Sequence, residues 1–150
     1  MIQSRRIDPL LRRAQEHEDS VARDLAERQR TLAQHESRLE ELRQYAEDYA
    51  NSQMAATSPA QLAIRRAFLE RIDQALKQQL QNVDRSRASV DIERDRLLLA
   101  SRDKQVLEQL AASYRVQERQ IVDRRDQREM DDLGARRARL AAAARESEDA

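Results

Sequence analysis

A ladder of positions spaced alternately by three and four residues runs through the first third of the chain without a break. Its members are Leu11, Ala14, Glu18, Val21, Leu25, Arg28, Leu32, His35, Leu39, Leu42, Ala46 and Tyr49. This spacing keeps one face of an α-helix towards the same neighbour and is typical of a coiled-coil seam. Glu18, Arg28 and His35 interrupt the seam, and a polar seam residue such as His35 can set the register between helices.

A second ladder follows Pro59. One of its two tracks is apolar throughout, with Leu62, Leu69, Leu76, Val83, Val90 and Leu97. The positions three residues further on are mixed, with Arg65, Ile72, Gln79, Ser86, Glu93 and Ala100. Beyond them, the last clear apolar points before a strongly charged end are Leu107, Leu110, Tyr114 and Ile121. We therefore expect a second helix with a seam that weakens along its length.

The composition excludes most other fold classes. The 150 residues include one Gly and two Pro, so few sharp turns are available. The charged fraction of 37% exceeds the roughly 25% of ordinary globular domains. Ala, Leu, Arg, Glu and Gln predominate, and these residues favour helix. A layered α/β or all-β domain is excluded on these grounds, and the net charge of zero gives no indication of nucleic-acid binding.

Two helix starts are marked by a capping residue followed by Pro. Asp8 precedes Pro9, and Ser58 precedes Pro59 with Gln61 completing a capping box. We predict one domain over 1–150, an all-α, long antiparallel two-helix coiled-coil hairpin whose second helix is longer than the first. Helix one spans about 9–52, the loop about 53–58 and helix two about 59–145. One continuous helix, or a parallel dimer of such helices, is the competing interpretation, but a Pro inside a helix costs about 3 kcal/mol.

The hairpin predicts which residues lie level with each other. With a turn near residue 56, Tyr45 lies level with Phe68 and Leu11 with about Arg102. Nothing in the chain then covers helix two beyond about residue 112. A lone helix of this length is only marginally stable in water, so we expect this end to have a partner.

No feature of the sequence indicates chemistry. The chain has no Cys, and its one Gly cannot form a Gly-rich phosphate loop. His17 and His35 lie about five helical turns apart, too far to share a metal ion. We therefore predict no catalytic, cofactor or metal site and no enzymatic activity. Because no apolar run approaches the roughly 20 residues of a membrane helix, we expect a soluble cytoplasmic protein.

Three of the four aromatic residues, Tyr45, Tyr49 and Phe68, flank the predicted loop. Two interpretations remain open at this point. The rings either widen the core where the hairpin closes or form a docking surface, since Tyr offers contact area with a polar group.

Three blocks of sequence resemble the family of the flagellar export protein FliJ. They are LEELRQYAEDYANS in helix one, FLERIDQALKQQLQNV in helix two and QREMDDLGARR near the C-terminus. Their order and spacing fit the family over about residues 10–140. The loop lacks the Gly that family members often have, and Asp132 stands where Glu is more usual.

The resemblance implies a function as well as a fold. FliJ-like proteins resemble the central stalk of rotary ATPases, and the end that carries both termini is implied to enter the pore of a hexameric flagellar export ATPase. From the unpaired end and the third block, the residues expected there are Tyr114, Ile121, Gln127, Met130, Asp131, Arg136 and Arg137.

A second implied partner is the export-gate protein FlhA. The residues carried over for this contact are Arg38, Leu42, Tyr45, Tyr49, Phe68, Ile72, Ala75 and Gln79. The family is also implied to escort export chaperones and to act in flagellum biogenesis and motility at the cytoplasmic face of the inner membrane. We expect a monomer when the protein is free.

Two other functions share this fold. One is the equivalent stalk of a virulence type III secretion system, and the other is a general coiled-coil structural protein that self-associates. Genomic context separates the first from a flagellar stalk, and the oligomeric state in solution separates the second.

Overall fold

The computed structural model describes residues 2–52 and 58–149, and almost all of them belong to two helices. Helix α1 spans Ile2–Ser52 and helix α2 spans Pro59–Glu148, with 51 and 90 residues respectively. The described residues contain no strand. Side chains of α1 contact side chains of α2 at several levels, as far along α2 as Glu118. The prediction of an all-α pair of packed antiparallel helices, with the second helix longer, is confirmed.

The start of α2 follows its sequence signal. The backbone N–H of Gln61 donates to Ser58 Oγ at 3.2 Å, and the N–H of Leu62 donates to the Ser58 carbonyl at 3.1 Å. Ser58 is therefore the N-cap that the sequence predicts, and it satisfies a donor that the first helical turn leaves open. The rest of the predicted loop, residues 53–57, lies outside the described residues. The helix ends at Glu148, slightly beyond the predicted end at about residue 145.

The predicted start of α1 is wrong. The helix begins at Ile2, so Pro9 lies inside it and Asp8 is not a cap. Pro9 has no N–H to donate to the Arg5 carbonyl, and this loss normally ends a helix. Tertiary contacts outweigh it here, because Ile7 is buried with 5% of its surface exposed and Asp8 pairs with Arg115 at 3.5 Å.

The chain divides into two compact units, which are described separately. The first is Ala14–Asp103. Its buried apolar residues are Val21, Leu39, Ile72, Val83, Val90 and Ala100, and all six occupy predicted seam positions. The predicted seams therefore form the core of this unit. Arg28 and Leu62 are exceptions, because both are exposed.

The second unit combines Met1–Arg13 with Lys104–Ala150. Its core contains Ile7 and Ala111, and Ala111 is 1% exposed. Of the four apolar points that the sequence indicates here, Leu107 and Tyr114 are half-buried, whereas Leu110 and Ile121 are 41% and 66% exposed. Continuing the three-four spacing from Ala100 through Lys104, Leu107, Ala111, Tyr114 and Glu118 gives the observed buried or half-buried face. A small Ala on this face allows close packing and carries little hydrophobic signal of its own.

The expectation that nothing covers α2 beyond about residue 112 is also wrong. Ser4 Oγ donates to Glu118 Oε2 at 2.8 Å, and the Ser4 backbone N–H donates to Glu118 Oε1 at 3.2 Å. The reason is the seven additional helical residues at the start of α1. The side chains without cover begin at Arg119, and every described residue from there to Asp149 is exposed.

Candidate partner-binding surfaces

The eight residues carried over for the gate contact form two matched rows. On α1 they are Arg38, Leu42, Tyr45 and Tyr49, and on α2 they are Phe68, Ile72, Ala75 and Gln79. Both rows have the spacing i, i+4, i+7, i+11, which places four side chains on one side of a helix. We call these eight residues the aromatic cluster. All of them belong to the unit Ala14–Asp103.

The three rings of the aromatic cluster contact one another across the two helices. Phe68 lies 4.5 Å from Tyr49, centroid to centroid, with the ring planes inclined at 50°. Tyr45 meets Phe68 at 6.3 Å and 69°, an edge-to-face arrangement. Such geometry is favourable because the positive edge of one ring meets the negative face of the other. The predicted pairing of Tyr45 with Phe68 is confirmed.

The rings differ in how far they reach solvent. Tyr45 is 54% exposed, whereas Tyr49 and Phe68 are half-buried. Phe68 therefore packs between the helices, and Tyr45 covers it from outside. Both earlier interpretations apply to parts of the cluster, because the inner rings widen the core and the outer ring presents a surface.

Two members of the aromatic cluster lie inside the helix pair. Ile72 and Gln79 are 7% and 8% exposed. Gln79 Nε2 donates to the His35 carbonyl oxygen at 2.9 Å and lies 3.3 Å from His35 Nδ1. These two side chains hold α1 and α2 together, and their surfaces are not available to a partner in this conformation.

Only part of the aromatic cluster is accessible to a partner. Arg38 is exposed, and among the described residues it makes no salt bridge. Leu42 and Ala75 are half-buried. A partner can therefore reach one unpaired guanidinium, one exposed phenol ring and the outer edges of apolar side chains.

The second candidate surface is residues 119–149, the uncovered end of α2 together with Asp149, which we call the tail surface. Ile121 and Met130 are 66% and 69% exposed. Gln127 Nε2 donates to Asp131 Oδ1 at 3.2 Å within the helix. Arg136 and Arg137 are exposed. Of the residues expected to bind an ATPase, only Tyr114 lies outside this surface, and it is half-buried.

The boundary between covered and uncovered helix is marked by Glu118. Hydrogen bonds to the ionised carboxylate lower the pKa of Glu118 from 4.5 to about 2. The side chain and backbone of Ser4 act in the same direction, and partial desolvation opposes them. This contact was not predicted from the sequence, because Pro9 indicates a helix that begins at residue 9. The continued three-four spacing through Ser4 and Ile7 was the available signal.

A groove adjoins this boundary on α2. It has a volume of about 420 Å³ and is lined by Arg115, Val116, Glu118, Arg119 and Val122. Val116 and Val122 are 56% and 42% exposed. Apolar side chains are thus accessible where the tail surface begins.

The described residues do not assemble a metal site. No group of three or more His, Cys, Asp or Glu side chains comes together in residues 2–52 and 58–149. His17 is exposed, and His35 is held by Gln79.

Within the same described ranges, neither helix has a stretch long and apolar enough to cross a membrane.

A family model with the description flagellar FliJ protein matches residues 3–143 of the chain. The chain belongs to the FliJ family. The match covers nearly the whole chain and includes both the aromatic cluster and most of the tail surface. Membership indicates a component of the flagellar export apparatus, in agreement with the resemblance found in the sequence.

Searches of the curated proteins and of the solved structures found no match to the chain.

Proposed function

We propose that this FliJ-family protein is a central stalk and adaptor of the flagellar export apparatus. The tail surface binds the hexameric export ATPase, and the exposed part of the aromatic cluster binds the export gate, FlhA. The protein is a cytoplasmic monomer when free, it escorts export chaperones, and it reaches the cytoplasmic face of the inner membrane when assembled. The observation that carries this proposal is the uncovered stretch of α2 after Glu118, in a chain that belongs to the family.

The exposure of the tail surface supports the ATPase contact. A single helix gains most of its stability in proteins by burying one face, yet residues 119–149 bury none in this chain. The exposed apolar side chains include Ile121, Met130, Leu133 and Leu140. Insertion into a ring would bury them and give the helix the packing that it lacks.

The geometry of the aromatic cluster supports the gate contact. Tyr45 is backed by Phe68 and stays half exposed. A ring fixed from behind loses little conformational entropy on binding, and Tyr is enriched among residues that dominate interface energies. Arg38 lies two helical turns away on the same side of α1, with its guanidinium unpaired among the described residues.

The ATPase contact is tested by truncation. The full chain and a version ending at Glu118 are each mixed with the purified hexameric export ATPase and separated by size. We expect the truncated chain to lose binding and to keep its helical circular dichroism per residue, because the contacts between α1 and α2 end at Glu118. Equal binding by both chains would overturn the role of the tail surface.

The gate contact is tested by Tyr45→Ala, with Ile92→Ala as the matched control. Both side chains are exposed, at 54% and 60%, and both lie in the unit Ala14–Asp103. We expect Tyr45→Ala to weaken binding to the cytoplasmic domain of FlhA by at least about tenfold, the scale of a single strong interface residue. An equal loss in both variants would contradict a specific role for the cluster. Co-purification with export chaperones tests the escort function separately.

A further inference from the structure

The two helices enclose a polar groove that the proposed partner contacts do not use. Arg28, Thr31 and His35 line it from α1, and Asn82, Arg85, Ser86 and Ser89 line it from α2. The groove has a volume of about 200 Å³, which exceeds the roughly 30 Å³ that a water molecule occupies in the liquid. All seven residues belong to the unit Ala14–Asp103.

The groove lies where the coiled-coil seam is polar on both helices. Arg28 and Ser86 occupy seam positions that usually carry apolar side chains. The neighbouring polar pair, His35 and Gln79, is satisfied inside the protein by a hydrogen bond of 2.9 Å. Arg28 and Ser86 have no such arrangement. Their side chains make no hydrogen bond or salt bridge with the described residues.

The charge of the groove has one sign. Two guanidinium groups line it, from Arg28 and Arg85, and no carboxylate does. Neither guanidinium pairs with an acid in the described part of the chain, although acids and bases are equally numerous in the sequence. The nearest ion pair across the helices, between Arg87 and Glu36 at 3.6 Å, uses side chains that do not line the groove.

Hydroxyl groups complete the lining. Ser86 and Ser89 are half-buried, and their hydroxyls have no protein partner among the described residues. Thr31 Oγ1 donates to the Glu27 carbonyl at 3.1 Å and still offers its lone pairs. The groove thus combines two guanidinium groups with two hydroxyl groups that have no protein partner among the described residues.

We propose that this groove binds a tetrahedral phosphate-type oxyanion between Arg28 and Arg85. The two guanidinium groups hold the anion from opposite helices by charge-assisted hydrogen bonds, and Ser86 and Ser89 donate to its remaining oxygens. A guanidinium presents a planar pair of donors that matches two oxygens of a phosphoryl group. Because the anion contacts both helices, it also stabilises their pairing at a level where the seam lacks apolar contacts.

The experiment uses the full-length, ¹⁵N-labelled protein and inorganic phosphate as the probe. Phosphate is titrated at constant ionic strength, with sodium chloride as the balancing salt, while the amide signals of Thr31, Ser86 and Ser89 are recorded. We expect saturable shifts at these residues, with a dissociation constant of about 1 mM or tighter. Adenosine monophosphate in a parallel titration distinguishes a free anion from a phosphate carried by a nucleotide.

Two double variants are compared. The first combines Arg28→Gln with Arg85→Gln in the groove. The second, the matched control, combines Arg12→Gln with Arg102→Gln, which do not line the groove. Each removes two exposed guanidinium groups that make no salt bridge in the described residues, so the change in net charge is the same. We expect the first double variant to bind phosphate at least about tenfold more weakly and the second to bind it unchanged. The helical circular dichroism of both should stay close to that of the parent.

Three results would overturn the site. Shifts that rise linearly without saturation would indicate a nonspecific ionic effect. Equal shifts with acetate at the same ionic strength would show that a phosphate-type anion is not preferred. Equal weakening in both double variants would show that net charge, and not the groove, accounts for binding.

Discussion

Gln79 on α2 donates a hydrogen bond of 2.9 Å to the backbone carbonyl oxygen of His35 on α1, a residue 44 positions away in the chain. Gln79 also receives a hydrogen bond from Asn82 at 3.2 Å through its Oε1. The amide is 8% exposed, so water cannot replace these partners easily. This pair fixes the register of the two helices in the unit Ala14–Asp103 by polar contacts.

Truncation of Gln79 should destabilise the helix pair. We expect Gln79→Ala to lower the free energy of unfolding by about 1 to 2 kcal/mol, because it removes packing and a buried hydrogen bond. His35→Leu with Gln79→Leu should restore or exceed the parent stability, since apolar residues at facing seam positions pack well. Urea denaturation followed by circular dichroism measures both. Stability of the double variant below that of Gln79→Ala would contradict this account.

The inner and outer rings of the aromatic cluster should differ in their effect on stability. Phe68 contacts both tyrosines and is half-buried, so Phe68→Ala should cost about 2 kcal/mol. Tyr45 is 54% exposed and makes only the outer contact, so Tyr45→Ala should cost less than about 1 kcal/mol. Urea denaturation of the two variants in parallel gives the comparison. Equal losses would mean that Tyr45 is as much a core residue as Phe68.

Much of the fold could be predicted because its signals are periodic and local. The two seams identified the buried residues of the unit Ala14–Asp103, from Val21 to Ala100, and Ser58 marked the start of α2. That Tyr45 lies level with Phe68 followed from the position of the loop alone. These predictions rest on helical periodicity and on the position of the loop, and both can be read from a single sequence.

The errors arose where tertiary contacts outweigh a local signal. Pro9 normally begins a helix, but the burial of Ile7 and the contact between Ser4 and Glu118 keep the preceding residues helical. Ala111 was missed because a small side chain carries little hydrophobic signal. The candidate sites could also be predicted only in part. Ile72 and Gln79 occupy seam positions, so their burial could have been predicted. The absence of salt bridges from Arg28 and Arg85 among the described residues depends on side-chain conformations, which the sequence does not indicate.

Replacement of Pro9 should strengthen the start of α1. Pro9→Ala restores the N–H that the Arg5 carbonyl lacks and removes the clash of the proline ring with the preceding turn. We expect slower hydrogen exchange of the amides of residues 4–8 and a gain in stability of about 1 to 3 kcal/mol. Arg12→Ala, at an exposed position, is the control and should change neither. Faster exchange in Pro9→Ala would show that proline rigidity is needed there.

The contact between Ser4 and Glu118 should depend on pH. The pKa of Glu118 in the folded chain is about 2, below its ordinary value of 4.5. The ionised carboxylate therefore stabilises the folded unit fully above pH 4.5, and this contribution is lost as the pH falls towards 2. We expect a carboxyl titration by nuclear magnetic resonance with a midpoint well below 4, accompanied by faster exchange of the Ser4 amide.

Two variants separate this contact from general acid effects. Glu118→Gln should abolish the acid-dependent change at Ser4, whereas Glu129→Gln, on the tail surface, should preserve it. An ordinary midpoint for Glu118 would mean that the carboxylate is not held by the start of α1.

The only Gly in the sequence, Gly134, lies within the helical tail surface, and a Cβ added there meets no atom within 4 Å. Gly in a helix interior is less favourable than Ala by about 1 kcal/mol because it loses more backbone entropy. Since residues 119–149 have no cover, this difference should change the helix itself. We expect Gly134→Ala to slow amide exchange around residues 130–138 and to leave residues 60–118 unaffected.

If the tail surface becomes ordered on binding the ATPase, the same Gly134→Ala variant should bind the ATPase up to about fivefold more tightly, because part of the ordering cost is removed beforehand. Unchanged exchange with tighter binding would indicate a direct contact at residue 134 instead.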